Sequence, residues 1–123
     1  MEFDRLSNRV IGCAIEVHRH LGPGLLESAY EQCLSYELQQ SGIPFQTQIA
    51  LPIEYKQVKL DSAYRIEMLV DNQLIVELKT VETLLKVHNA QLLSYMKLAK
   101  IHVGILINFN VDILRKGIKR LVL

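Results

Sequence analysis

Two acids and a base fall close together in the stretch Tyr64 to Lys79, YRIEMLVDNQLIVELK, and their alternation bears on what they could do. With a period of two, Tyr64, Ile66, Met68 and Val70 share one face of a first strand, and Arg65, Glu67 and Leu69 share the other. On a second strand Leu74, Val76 and Leu78 share a face, opposite Ile75, Glu77 and Lys79. Glu77 and Lys79 then lie roughly 6 to 7 Å apart along the strand. Asp71 and Asn72 tolerate left-handed backbone and mark the turn.

Loop length decides which residues meet. A two-residue turn would pair Glu67 with Val76 and set an apolar face against a charged one. A three-residue loop, Asp71 to Gln73, pairs Val70 with Leu74, Met68 with Val76 and Ile66 with Leu78, and sets Glu67 across from Glu77. Directly opposed carboxylates destabilise a sheet, so something must neutralise them. One account is a charge ladder, with Lys79 diagonal to Glu67 and Arg65 diagonal to Glu77. The other is a divalent cation held by the two acids.

The flanking elements follow from periodicity. Leu6, Val10, Cys13, Ala14, Val17 and Leu21 recur at helical steps and predict a helix from about Asp4 to His20, stopped by Gly22-Pro23-Gly24. A second helix is expected from about Leu25 to Ser41, with Glu27, Tyr30 and Glu31 on one side. Glu27 lies in its first turn, where the helix dipole alone favours an acid. Phe45 to Tyr55 reads as a strand with an edge position or bulge at Pro52, followed by a hairpin turn or a short continuation at Lys56 to Lys59. Beyond the central hairpin, Val87 to Ala99 reads as a helix on which His88, Gln91 and Tyr95 make a polar stripe. His102 to Phe109 is a nearly continuous apolar run and so an interior strand, and Ile118 to Leu123 is a candidate last strand.

An acid on one strand followed by Glu77-Leu78-Lys79 on the next resembles the catalytic signature of the PD-(D/E)XK nuclease superfamily. Gly24-Leu25-Leu26-Glu27-Ser28-Ala29-Tyr30 resembles the GxxExxY signature that names a small prokaryotic family within it, and VHNAQLLSYMKL and GILINFNV are similar to that family too. The resemblance implies an α/β fold: a restriction-endonuclease-like core, with a mixed β-sheet flanked by helices. It implies a catalytic set of Glu67, Glu77, Lys79 and Glu27, in which Glu67, Glu77 and Glu27 hold Mg²⁺ or Mn²⁺, directly or through water. Gln91 and Tyr95 have the spacing of a Gln and Tyr that some branches place near substrate, and Tyr30 is a candidate for a carboxylate or phosphate contact or for the core. The family's first sheet acid is normally Asp, so Glu67 departs from it by one methylene of extra reach.

A chain of 123 residues, half of them apolar, suits one domain over 1–123 and argues against disorder. No apolar run reaches the length of a membrane span, and Met1-Glu2-Phe3-Asp4 lacks the basic start of a leader, so no membrane association and a cytoplasmic location are expected. Cys13 and Cys33 fall among apolar helical residues and are expected as reduced thiols. The net charge of +1 removes the usual argument for binding nucleic acid. Basic residues do gather near both ends, as Arg5, Arg9, Arg19 with His18 and His20, and as Arg115, Lys116, Lys119 and Arg120. Three functional classes remain: a metal-dependent nuclease acting on DNA or RNA, a catalytically inactive module of the same fold binding nucleic acid or a protein, and a homodimer formed through the apolar C-terminal strand.

Overall fold

The computed structural model describes residues 4–60 and 64–123; the Met1 to Phe3 start weighed above lies outside them. Helix α1 (Arg5–Leu21) begins at Asp4, whose carboxylate accepts from the Ser7 N–H and hydroxyl, both at 2.8 Å. Helix α2 (Glu27–Gln40) follows a turn in which Gly22 and Gly24 take φ of +66° and +103°, angles that favour glycine. Strands β1 (Phe45–Ala50), β4 (Arg65–Val70), β5 (Leu74–Lys79), β6 (Val103–Asn108) and β7 (Ile118–Val122) form one sheet in the order β1-β4-β5-β6-β7. Among the described residues, strands β2 (Ile53–Tyr55) and β3 (Val58–Leu60) pair with each other alone, as an arm between β1 and β4. The expected single strand over Phe45 to Tyr55 is thus divided, and the division falls at Pro52, which has no N–H to continue a ladder.

Helix α3 (Lys86–Ala99) carries the chain from β5 to its parallel neighbour β6. It lies close to the sheet because Gly104 has no side chain. A Cβ there would stand 2.7 Å from the Met96 sulfur. One face of the sheet is covered by α1 and α2, through Val10, Val17, Leu34 and Leu38 against Met68, Val76, Leu78 and Ile107. The other is covered by α3, through Leu92, Tyr95 and Met96 against Ile75 and Leu106. The result is the expected α/β arrangement, a mixed sheet flanked by helices. Cys13 and Cys33 are free thiols, and no helix among the described residues is long and apolar enough to cross a membrane.

Candidate active site

Hairpin β4–β5 turns through Asp71 and Asn72, both left-handed at φ +51° and +53°, and pairs Val70 with Leu74 and Met68 with Val76. This is the register expected from a three-residue loop. Past Met68–Val76, however, the ladder stops, and the expected Ile66–Leu78 pair does not form. Its place is taken by side chains. The Leu78 N–H donates to Glu67 Oε1 at 2.9 Å, and the Glu67 N–H donates to Glu77 Oε1 at 3.3 Å. Each acid therefore satisfies a backbone donor of the partner strand that the lost ladder leaves free.

The same position breaks alternation in β4. Met68 and Val70 pack with α1 and α2, while Ile66 packs under α3 and Tyr64 sets its ring edge-on to Tyr95, with 6.3 Å between centroids. Tyr64, Ile66, Met68 and Val70 consequently do not share a face as strict alternation requires. Strand β1 changes face at the same level. Phe45 packs with the α1–α2 core and Ile49 with the α3 core, and between them Gln48 adopts φ +54°. Because both strands switch together, Thr47–Met68 and Ile49–Ile66 remain paired on either side of Gln48 and Glu67.

Glu67 and Glu77 are each only 7% exposed. Burial pushes both carboxyls well above the ordinary carboxylate range, Glu67 further than Glu77. The Leu78 N–H pulls Glu67 back down, while a hydrogen bond with Glu31 and the charges of Glu27 and Glu77 push it up. For Glu77 the bond from the Glu67 N–H and the charge on Lys79 oppose the effect of burial. The charge ladder does not form. Among the described residues no ion pair within 4.0 Å joins Lys79 or Arg65 to either acid, and Arg65 instead donates to the Gln48 carbonyl at 3.3 Å. Two acids thus meet in a nearly dry position without a cation in contact.

Lys79 is half-buried at the end of β5, where its carbonyl accepts from the Phe109 N–H and its strand neighbour is Asn108. Asn108, 2% exposed, accepts from the Val81 N–H at 3.1 Å and donates to the Val81 carbonyl at 2.8 Å. That clamp fixes the chain just beyond Lys79. Gln91 and Tyr95 meet on α3 as their spacing predicts, with the Gln91 amide donating to the Tyr95 hydroxyl at 3.0 Å. Burial raises the phenol of Tyr95, and the charge of Glu77 adds to the rise, so this pair flanks the Glu77 side of the site. Glu27 is half-buried and acts on both acids through its charge.

One candidate needs correction, and two groups that the sequence left open are placed. Tyr30 is 0% exposed, stacks on Phe109 with centroids 4.4 Å apart, and donates to the Gly22 carbonyl at 2.5 Å while accepting from the Leu25 N–H. It belongs to the core and braces the turn before α2, and it is not available to substrate. His88 leaves the polar stripe and accepts the Leu85 N–H at the start of α3. The basic clusters are partly engaged: Arg120 with Asp4 at 2.6 Å, Arg19 with Glu16 at 2.7 Å, and Lys116 with Asp112 at 3.5 Å. Sequence reasoning missed Glu31 and Gln48, which the structure brings to Glu67. Glu31 follows Glu27 by one turn on the same side, a signal that was legible; nothing in the residue type marked Gln48.

As they stand, the acids turn toward backbone donors and one another, and no three His, Cys, Asp or Glu side chains among the described residues are grouped as a metal cage. The donor set nonetheless fits a hard divalent cation, since it offers carboxylate oxygens only and both sheet acids lack a competing base. No curated protein and no solved structure matches the chain. Residues 4–121 match the PD-(D/E)XK nuclease superfamily, nearly the whole length, and the chain belongs to that superfamily.

Proposed function

We propose that the protein is a metal-dependent nuclease that hydrolyses phosphodiester bonds of DNA or RNA at the Glu67–Glu77 site. The observation that carries this reading is the meeting of two buried acids with no base in contact, an arrangement whose ionised form is unfavourable until a proton or a cation joins it. Glu67 and Glu77 would hold Mg²⁺ or Mn²⁺, with Glu27 acting directly or through water. Bound there, the ion supplies a more acidic water and draws charge from the phosphate oxygens.

The chain's own residues do the rest. The Lys79 charge acts on Glu77 from the same strand, so Lys79 is placed to neutralise phosphate charge or to orient the attacking water. Water attacks phosphorus and gives up a proton to solvent, the bond to the leaving sugar oxygen breaks, and that oxygen takes a proton from solvent, with the Lys79 charge offsetting the negative charge that develops. Tyr95 accepts from Gln91, which leaves its phenolic proton to donate to a phosphate oxygen. The longer Glu67 side chain, in place of the usual Asp, spans to the Leu78 N–H, so its extra methylene has a use in closing the opened ladder.

The test is cleavage of single- and double-stranded DNA and RNA with Mg²⁺ or Mn²⁺, for the wild type and Glu77→Ala. Metal-dependent cleavage by the wild type is expected, with a loss of about a thousandfold or more in the variant, since a catalytic ion contributes several kcal/mol to the transition state. A wild type that binds these nucleic acids and cleaves none would support the non-catalytic module instead.

A further inference from the structure

Six non-glycine residues among those described have positive φ, and five have an ordinary reason. Lys56 and Gln57 turn the β2–β3 arm, Asp71 and Asn72 turn the central hairpin, and Lys100 caps α3. Gln48 alone lies inside a strand. Its side chain is exposed, so no core packing accounts for it. A glycine would adopt this backbone without strain and would leave the β1–β4 pairing unchanged, so the amide is what glutamine adds.

Among the described residues that amide has one partner. Gln48 Nε2 donates to Glu31 Oε1 at 2.9 Å across the space between β1 and α2, and Gln48 and Glu67 both lie between the Thr47–Met68 and Ile49–Ile66 pairs, at the same level of the sheet. Resting on the metal-dependent reading above, we propose that Gln48 is a positioning residue that holds the Glu31 carboxylate beside Glu67, making Glu31 a further acid of the site. An amide suits the task because it fixes a carboxylate without adding a charge. A lysine or arginine at the same place would repel the incoming divalent ion and compete for the same oxygens. Arg65, on the strand that carries Glu67, donates to the Gln48 carbonyl, so the same residue binds the acid through its side chain and a base through its backbone.

Backbone and side-chain roles separate cleanly in Gln48→Gly, which suits the left-handed backbone and deletes the amide. The experiment is calorimetric titration with Mn²⁺, together with thermal melting, of the wild type, Gln48→Gly, Glu31→Gln and the double variant. Gln48→Gly is expected to melt at or above the wild-type temperature yet bind Mn²⁺ about tenfold to a hundredfold more weakly, the usual effect of removing a residue that orients a ligand. Glu31→Gln should weaken binding by a similar factor, and the double variant should be no weaker than Glu31→Gln alone. Gln48→Asn, which tolerates the same backbone and keeps a shorter amide, should recover part of the loss. Wild-type affinity in Gln48→Gly, or losses that multiply in the double variant, would overturn the assignment while leaving the metal site standing. A wild type that binds no Mn²⁺ removes the metal-dependent reading itself, and this assignment with it.

Discussion

The two halves of the β4–β5 hairpin are made of the same strands and differ in what holds them together. Near the turn, Met68, Val70, Leu74 and Val76 are fully buried, alternate cleanly, and pair backbone to backbone. Beyond Met68–Val76 the backbone pairing gives way, and carboxylates complete it. One half is held by apolar burial and a regular ladder, with nothing to titrate. The other keeps two acids where burial opposes their charge, which costs stability and is the cost that the proposed cation would offset. On that proposal, stability and chemistry are divided along a single hairpin, a few residues apart.

The comparison breaks if the two halves respond alike to mutation. Met68→Ala removes a fully buried side chain from the last regular pair and is expected to destabilise by about 2–5 kcal/mol. Glu77→Gln, metal-free and near pH 8, is expected to be as stable as the wild type or more so, because it removes an opposed buried charge. Chemical denaturation of both variants checks this, and an equal loss in the two would mean that the acids are structural after all.

A pH series sharpens the contrast. Both acids have folded-state pKa values above their unfolded ones, so the folded chain binds protons more tightly than the unfolded chain. Metal-free stability should therefore fall as pH rises above about 4.3, the ordinary Glu value, and keep falling through the raised folded values, by roughly 1.4 kcal/mol for each unit of elevation. Mn²⁺ should reverse the fall, since it favours the deprotonated pair and its binding releases protons. The slope should be smaller in Glu77→Gln and unaltered in Met68→Ala. The smallest effect is expected at the flank. Tyr95→Phe keeps the ring against Tyr64 and loses the hydroxyl, so KM should rise less than about tenfold with kcat nearly unchanged.

Much of this was legible before any coordinates. The three-residue loop followed from matching apolar faces, and the Val70–Leu74 and Met68–Val76 pairs have its register, although the ladder ends before Glu67 and Glu77, which meet through side chains instead. The Gln91–Tyr95 contact followed from helical spacing, and the edge character of the Pro52 segment from a missing N–H. What stayed hidden were features decided by neighbours and not by residue type. A left-handed glutamine in mid-strand carries no mark in the sequence, so the face switch at Gln48 and Glu67 was not foreseeable, although the side of α2 that carries Glu31 was. Tyr30 misled for a related reason: its hydroxyl partner is the backbone of the turn just before its own helix, and a motif does not say where a phenol will point.

The paired face switch in β1 and β4 also determines where the chain can change length. Ala50 and Arg65 close the ladder on the far side of the switch, and the β2–β3 arm hangs from them. Growth or shrinkage of that arm leaves the acids where they are, whereas one residue added between Thr47 and Ile49 slides Gln48 away from Glu67. Length variation among homologues should accordingly collect in the arm and be absent from the few residues on either side of the switch.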